Sequence, residues 1–229
     1  MEDIQLRNIL RPMNLPRGDI QIAGTETVGA EFTEQESKIL IKMLDRMYYV
    51  NSIPSIKKCI SDNYDILVDL IRVVKTNTKQ PFRGMFAKGN DLTIKPLYEE
   101  DFKYVWGSDT DKTFEHNVTK GTVYDYVGTD ADPETTKEEE GIIILGFLDL
   151  NPDPKIYKVR LMKNGEYYIP QELEFDKLES DNFVALPEPY VILPESTYQI
   201  KAKAYEDGDT YLIPVGFRVL MAKVDETLF

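Results

Sequence analysis

A single change of period constrains this chain more than any other feature. From Thr33 to about residue 83 its apolar residues recur at helical steps, and from about residue 84 they alternate with polar ones between turn dipeptides. The run Ile156 to Lys163 sets Tyr157, Val159 and Leu161 against Lys158 and Arg160, meets Asn164-Gly165, and resumes at Glu166-Tyr167-Tyr168-Ile169. Asn-Gly between two β-type runs predicts a hairpin, because a type I′ turn needs positive φ at both central positions. Tyr198, Ile200, Ala202 and Ala204 alternate with Gln199, Lys201 and Lys203 ahead of Asp207-Gly208 and a run from Tyr211 to Val224, which predicts a second hairpin. Pro214 and Gly216 in that run point to an edge position or a bulge.

Further strand candidates are Leu92 to Leu97, Phe102 to Trp106, Thr122 to Val127, Ile142 to Leu148 and Pro189 to Leu193. Many short strands with no helical pattern between them predict an antiparallel sandwich or barrel. The acidic stretch Asp130 to Glu140 reads as a mobile surface loop.

The helical part begins at Thr33, three residues before Glu36 in a capping-box pattern. Ile39, Leu40, Met43, Leu44 and Met47 mark one face. Asn51-Ser52-Ile53-Pro54 interrupts it, with Ser52 the expected cap of a second helix and Pro54 in its first turn. Ile56, Ile60, Tyr64, Leu67, Ile71 and Val74 then form a second stripe, predicted as one helix. The pair is too short to stand alone, so its stripe must pack on the β domain or on another subunit. Before it, residues 1 to 32 mix aliphatics (Ile4, Leu6, Ile9, Leu10, Leu15, Ile20, Ile22) with Pro12, Pro16, Gly18, Gly24 and Gly29. Those prolines and glycines deny the segment a regular element, while its aliphatics call for burial, either in a groove of its own domain or in that of a neighbour. The expected class is α+β, mainly β: an extended arm over 1–32, a helical hairpin over 33–83 and an acidic, jelly-roll-like antiparallel β-sandwich over 84–229.

Charge divides along the same line. Residues 1 to 83 hold 12 Lys+Arg against 11 Asp+Glu, whereas residues 84 to 229 hold 15 against 29, a net −14. Such a domain repels a phosphate backbone, which argues against nucleic acid as a partner. One cysteine, Cys59, rules out an intrachain disulfide, and no apolar run approaches 20 residues, so the expectation is a soluble protein made in the cytoplasm, without membrane partner or signal peptide.

The search for chemistry assigns no catalytic, cofactor or metal residue. His116 is the lone histidine, in a strand-like run, and Cys59 lies beside the helical stripe, where a core thiol is inert. Phosphate-binding glycine loops are absent from the sequence. Asp149, Asn151 and Asp153 open like an EF-hand, but Pro154 stands where glycine is needed and Arg160 where a bidentate glutamate is needed. A calcium site of another kind would draw on Asp109, Asp111, Asp149, Asp153, Asp207 or Asp209. Asn117-Val118-Thr119 matches a glycosylation sequon, but no secretion signal accompanies it. Trp106 with Tyr104, Tyr124, Tyr126, Tyr157, Tyr167 and Tyr168 would serve either as core packing or as a sugar-binding face.

In its last third the chain resembles the β-sandwich or jelly-roll structural proteins of virus and bacteriophage particles. The resemblance rests on Tyr190-Val191-Ile192-Leu193-Pro194-Glu195-Ser196-Thr197-Tyr198-Gln199-Ile200-Lys201-Ala202 and on Pro214-Val215-Gly216-Phe217-Arg218-Val219 after Asp207-Gly208. It implies a non-enzymatic, cofactor-free virion component (minor capsid, decoration or head-fibre), docked through arm and helices onto protein subunits in a homo- or hetero-oligomer inside the host cytoplasm. The alternative from another class is a carbohydrate-binding or adhesion module. A third, a hydrolase, would need a cleft joining His116 to two or more carboxylates.

Overall fold

The computed structural model describes residues 53–77, 92–167, 173–174 and 182–221. The expected arm over 1–32 and the expected helix beginning at Thr33 lie outside the described residues.

The second apolar stripe is helical, but as two helices, α1 (Pro54–Asp62) and α2 (Tyr64–Asn77), rather than one. Pro54 occupies the first turn as expected, and the cap is Ile53, which makes no side-chain cap hydrogen bond. The break falls at Asn63, whose side-chain amide donates to the Cys59 carbonyl at 2.8 Å and so competes with the helical ladder. Because only one residue is lost, the stripe keeps its face: Ile56, Ile60, Leu67, Ile71 and Val74 are all buried.

That face lies on the first of two sheets. Eleven strands, numbered along the chain, are found among the described residues, and every pairing between them is antiparallel. The first sheet runs β1 (Leu92–Pro96), β11 (Gly208–Met221), β5 (Glu140–Asp149) and β9 (Phe183–Ile192), with β2 (Glu115–Val118) also on β11. The second runs β3 (Val123–Val127), β10 (Thr197–Ala204), β6 (Ile156–Lys163) and β7 (Glu166–Tyr167), with β4 (Glu134–Thr135) on β10 and β8 (Leu173–Glu174) on β6. The molecule is thus the expected mainly antiparallel β-sandwich.

Strand β5 is buried at all ten of its positions, which demands cover on both faces. Helix α2 supplies cover at Gly141, where a Cβ would come 2.5 Å from the Val74 side chain, and one apolar core joins the helices to both sheets. The helical stripe is therefore occupied within the chain and is not available for docking. Among the described residues no helix is long and apolar enough to cross a membrane.

Three expectations about strands and loops also need correction. The Asn164-Gly165 hairpin is present, with φ of 51° and 80° and Lys163 opposite Glu166, but Asp207-Gly208 joins no hairpin. Strand β10 belongs to the second sheet and β11 to the first, so the chain crosses the sandwich there. Alternation on either side of a turn dipeptide shows that both segments are strands, not that they pair with each other. Asp207 instead accepts the Lys120 amide at 2.7 Å.

Phe102 to Trp106 is not a strand either. A 3-10 turn over Glu99–Asp101, closed by the Tyr98 amide donating to the Asp101 carboxylate, leads into bends and an isolated bridge between Val105 and Ser108. Nor does Asp130 to Glu140 lie free on the surface. Glu134 and Thr136 are buried, and the Glu134 carboxylate accepts the amides of Lys103 and Tyr104 at 2.7 and 2.8 Å. Thr136 donates its hydroxyl to the Leu193 carbonyl at 2.6 Å.

At Pro214 and Gly216 the bulge reading holds: the register shifts between Val215 and Gly216. The edge reading does not, because β11 is flanked by β5 on one side and by β2 and β1 on the other. Strand β2 takes Gly208 to Tyr211 and β1 takes Phe217 to Met221, so Pro214 falls in the gap between them.

Candidate ligand groove

Val105-Trp106-Gly107-Ser108 closes on itself, the amides of Val105 and Ser108 each donating to the other's carbonyl at 3.0 Å. Trp106 and Gly107 have φ of 52° and 75°, close to the pair at Asn164-Gly165. This is a second two-residue turn of the same hand, with tryptophan where asparagine is favoured. A left-handed backbone on a bulky residue costs on the order of 1–3 kcal/mol and persists only when its surroundings over-determine it. Here the Trp106 amide donates to the Tyr126 carbonyl at 2.8 Å and its indole N–H to the Phe114 carbonyl at 3.1 Å.

The indole so held is packed against three other rings. His116, on β2, stacks on it with centroids 4.9 Å apart and planes 12° from parallel. Tyr126 lies against it at 4.6 Å and 52°, and Tyr124 meets it edge-on at 5.8 Å. Tyr126 is fully buried and donates its hydroxyl to the Leu212 carbonyl, fastening β3 of one sheet to β11 of the other.

Beside this stack lies an open groove of about 380 Å³. Asp111 lines it from the loop after the turn, with Ser108, whose hydroxyl oxygen accepts the Asp111 amide at 3.0 Å. Glu115 and Asn117 line it from either side of His116 on β2. Asp209, directly across from Asn117 on β11, accepts its side-chain amide at 2.7 Å. Among the described residues, the wall thus holds three carboxylates and no lysine or arginine. Partial burial of His116 pushes its pKa below the usual histidine value, so the imidazole is neutral at pH 7.

Of the seven aromatics grouped from the sequence, the structure gathers Trp106, Tyr124 and Tyr126. Tyr104 donates to Asp132 at 3.2 Å, and Tyr157 sits on the second sheet edge-on to Tyr205. Tyr168 and the Tyr167 side chain lie outside the described residues. Of the calcium candidates, Asp111 and Asp209 line the groove, whereas Asp149, Asp153 and Asp207 are engaged elsewhere. Asp149 is buried and accepts the Thr210 hydroxyl at 2.7 Å and the amides of Asn151 and Tyr211 at 2.9 and 3.1 Å, which occupies it within the protein. Asp153 pairs with Lys155 and Asp207 holds the Lys120 amide. Among the described residues no group of three or more His, Cys, Asp or Glu side chains is placed to hold a metal ion. Cys59 is buried, and its thiol pKa is pushed up to about 11, chiefly by that burial, which keeps it protonated and unreactive.

Sequence reasoning found His116 and the aromatics but not their meeting. Trp106-Gly107 was the available signal, masked because tryptophan is not a residue from which a left-handed turn is expected. No protein-family model, curated protein or solved structure matches this chain.

Proposed function

We propose that this protein is a non-catalytic structural component of a larger assembly, a virion protein of the minor capsid, decoration or head-fibre kind. One observation carries the reading: His116, the side chain on which catalysis would hinge, is used to hold structure. It is stacked on Trp106, and its ionisation answers to burial rather than to a carboxylate partner. The hydrolase reading asks for a cleft joining His116 to carboxylates, and the groove does bring Asp111, Glu115 and Asp209 to its wall. A general base needs an orienting hydrogen bond, however, and this imidazole is oriented by ring stacking.

The carbohydrate-binding alternative draws support from the aromatic stack beside Asn117 and Asp209. Against it, the Trp106 indole is already stacked by His116 and packed against Tyr126, contacts that compete with a sugar ring for it. Sedimentation of particles from the native source decides the matter. The chain is expected in the particle fraction at fixed stoichiometry, and recovery only as a slowly sedimenting free protein would overturn the proposal. A glycan that shifts Trp106 fluorescence in the free protein would move the reading to the alternative.

A further inference from the structure

The groove beside Trp106 and His116 has a chemistry that selects its occupant. Its wall carries Asp111, Glu115 and Asp209, and the carboxylates of Asp111 and Glu115 engage no cation among the described residues. A neutral imidazole stacked on an indole offers an aromatic surface next to them. Carboxylates beside a π surface favour a cation, and a planar guanidinium satisfies both, stacking on the ring and donating to the carboxylates. The volume of about 380 Å³ is ample for one such side chain with part of its backbone.

The chain carries a matching ligand. Residues 4 to 18 hold Arg7, Arg11 and Arg17 and no acidic residue, among Ile4, Leu6, Ile9, Leu10 and Leu15. With three arginines and no acidic residue, this stretch is complementary to the groove of a domain whose net charge is strongly negative. The 35 residue-to-residue steps from Gly18 to Ile53 can reach up to about 115 Å at roughly 3.3 Å per step, so a neighbouring molecule is within range.

We propose that the acidic aromatic groove of one molecule receives an arginine from residues 4–18 of a second copy of this chain. The proposal rests on the assembly reading and names its contact. It is a head-to-tail arrangement, since groove and arginine segment are different surfaces, and it therefore builds rings or open chains rather than a closed two-fold pair.

Full-length variants in mixture test it. One carries Asp111→Asn and Glu115→Gln, the other Arg7→Gln, Arg11→Gln and Arg17→Gln. By analytical ultracentrifugation the unaltered chain is expected to self-associate, and each variant alone to do so roughly tenfold or more weakly. Mixed, the two variants should form a one-to-one pair and stop there, because only one groove and one arginine segment remain between them. Variants that each lose association but do not pair would mean that the segment fills its own groove, overturning the second-copy proposal. Association unchanged in both variants would overturn the site while leaving the assembly reading intact. A monomeric full-length chain would overturn the proposal, and the particle fractionation would then decide the assembly reading by itself.

Discussion

At the scale of the residue, two turns of one geometry differ in what they are for. Asn164-Gly165 uses the side chain best suited to positive φ and leaves it exposed, whereas Trp106-Gly107 places a large ring in the same conformation and surrounds it with Tyr126, Tyr124 and His116. The ring's packing and its hydrogen bond to the Phe114 carbonyl offset the turn's strain. Trp106→Ala and Trp106→Asn both remove the ring, so both should destabilise the protein, by about 2–4 kcal/mol for a partly buried tryptophan. Asparagine tolerates the left-handed region and alanine does not, so Trp106→Asn is expected to be the milder of the two by about 1 kcal/mol. Urea unfolding of the pair measures the difference, and an alanine variant as stable as the asparagine one would show that the turn stores no strain.

Elements were legible in proportion to how local their causes are. Period-two alternation placed β1, β3, β5, β6, β10 and the start of β11 to within a few residues, and helical period placed α1 and α2, because each pattern is written in consecutive side chains. The Asn63 break was invisible, since the apolar stripe runs through it unaltered while a polar side chain turns back on the Cys59 carbonyl. Strand partnership was not legible at Asp207-Gly208, where pairing is decided by which sheet each strand completes. The anchoring of the acidic stretch was hidden for a similar reason: Glu134 is held by amides some thirty residues away, and no local signal distinguishes it from its exposed neighbours. The groove needs β2, β11 and the Trp106 turn at once, so its residues could be named but not assembled. A tighter test of an element contact lies at Gly141. A methyl group there would meet Val74 at 2.5 Å, and the Ile192 carbonyl at 2.9 Å limits any shift. Gly141→Ala should therefore cost about 1–3 kcal/mol by overpacking. Combining it with Val74→Ala should recover part of that loss, a coupling that a double-mutant cycle reads directly. Strict additivity of the two changes would mean that α2 does not rest on β5 at this point.

For the molecule as a whole, the shared core sets how it comes apart. Ile56, Leu67 and Ile71 are fully buried on the sheet that also holds Ile143, Phe147 and Phe217, and burial of each such side chain is worth about 1.5–3 kcal/mol. Removing the helices would strip cover from β5, whose residues are buried on both faces, so neither part can open without exposing the other's apolar surface. Independent unfolding of helices and sandwich is thereby penalised, and a single cooperative transition is expected. The chain carries its own reporters for this. Trp106 is the one tryptophan in the sequence and sits in the groove beside β2, whereas the far-ultraviolet helical signal arises partly from α1 and α2. Tryptophan fluorescence and circular dichroism at 222 nm, followed through the same thermal or urea titration, should give coincident midpoints. A helical signal that melts first, while Trp106 remains in its native environment, would show the helices to be an appendage with its own stability and would leave β5 covered by something other than α2.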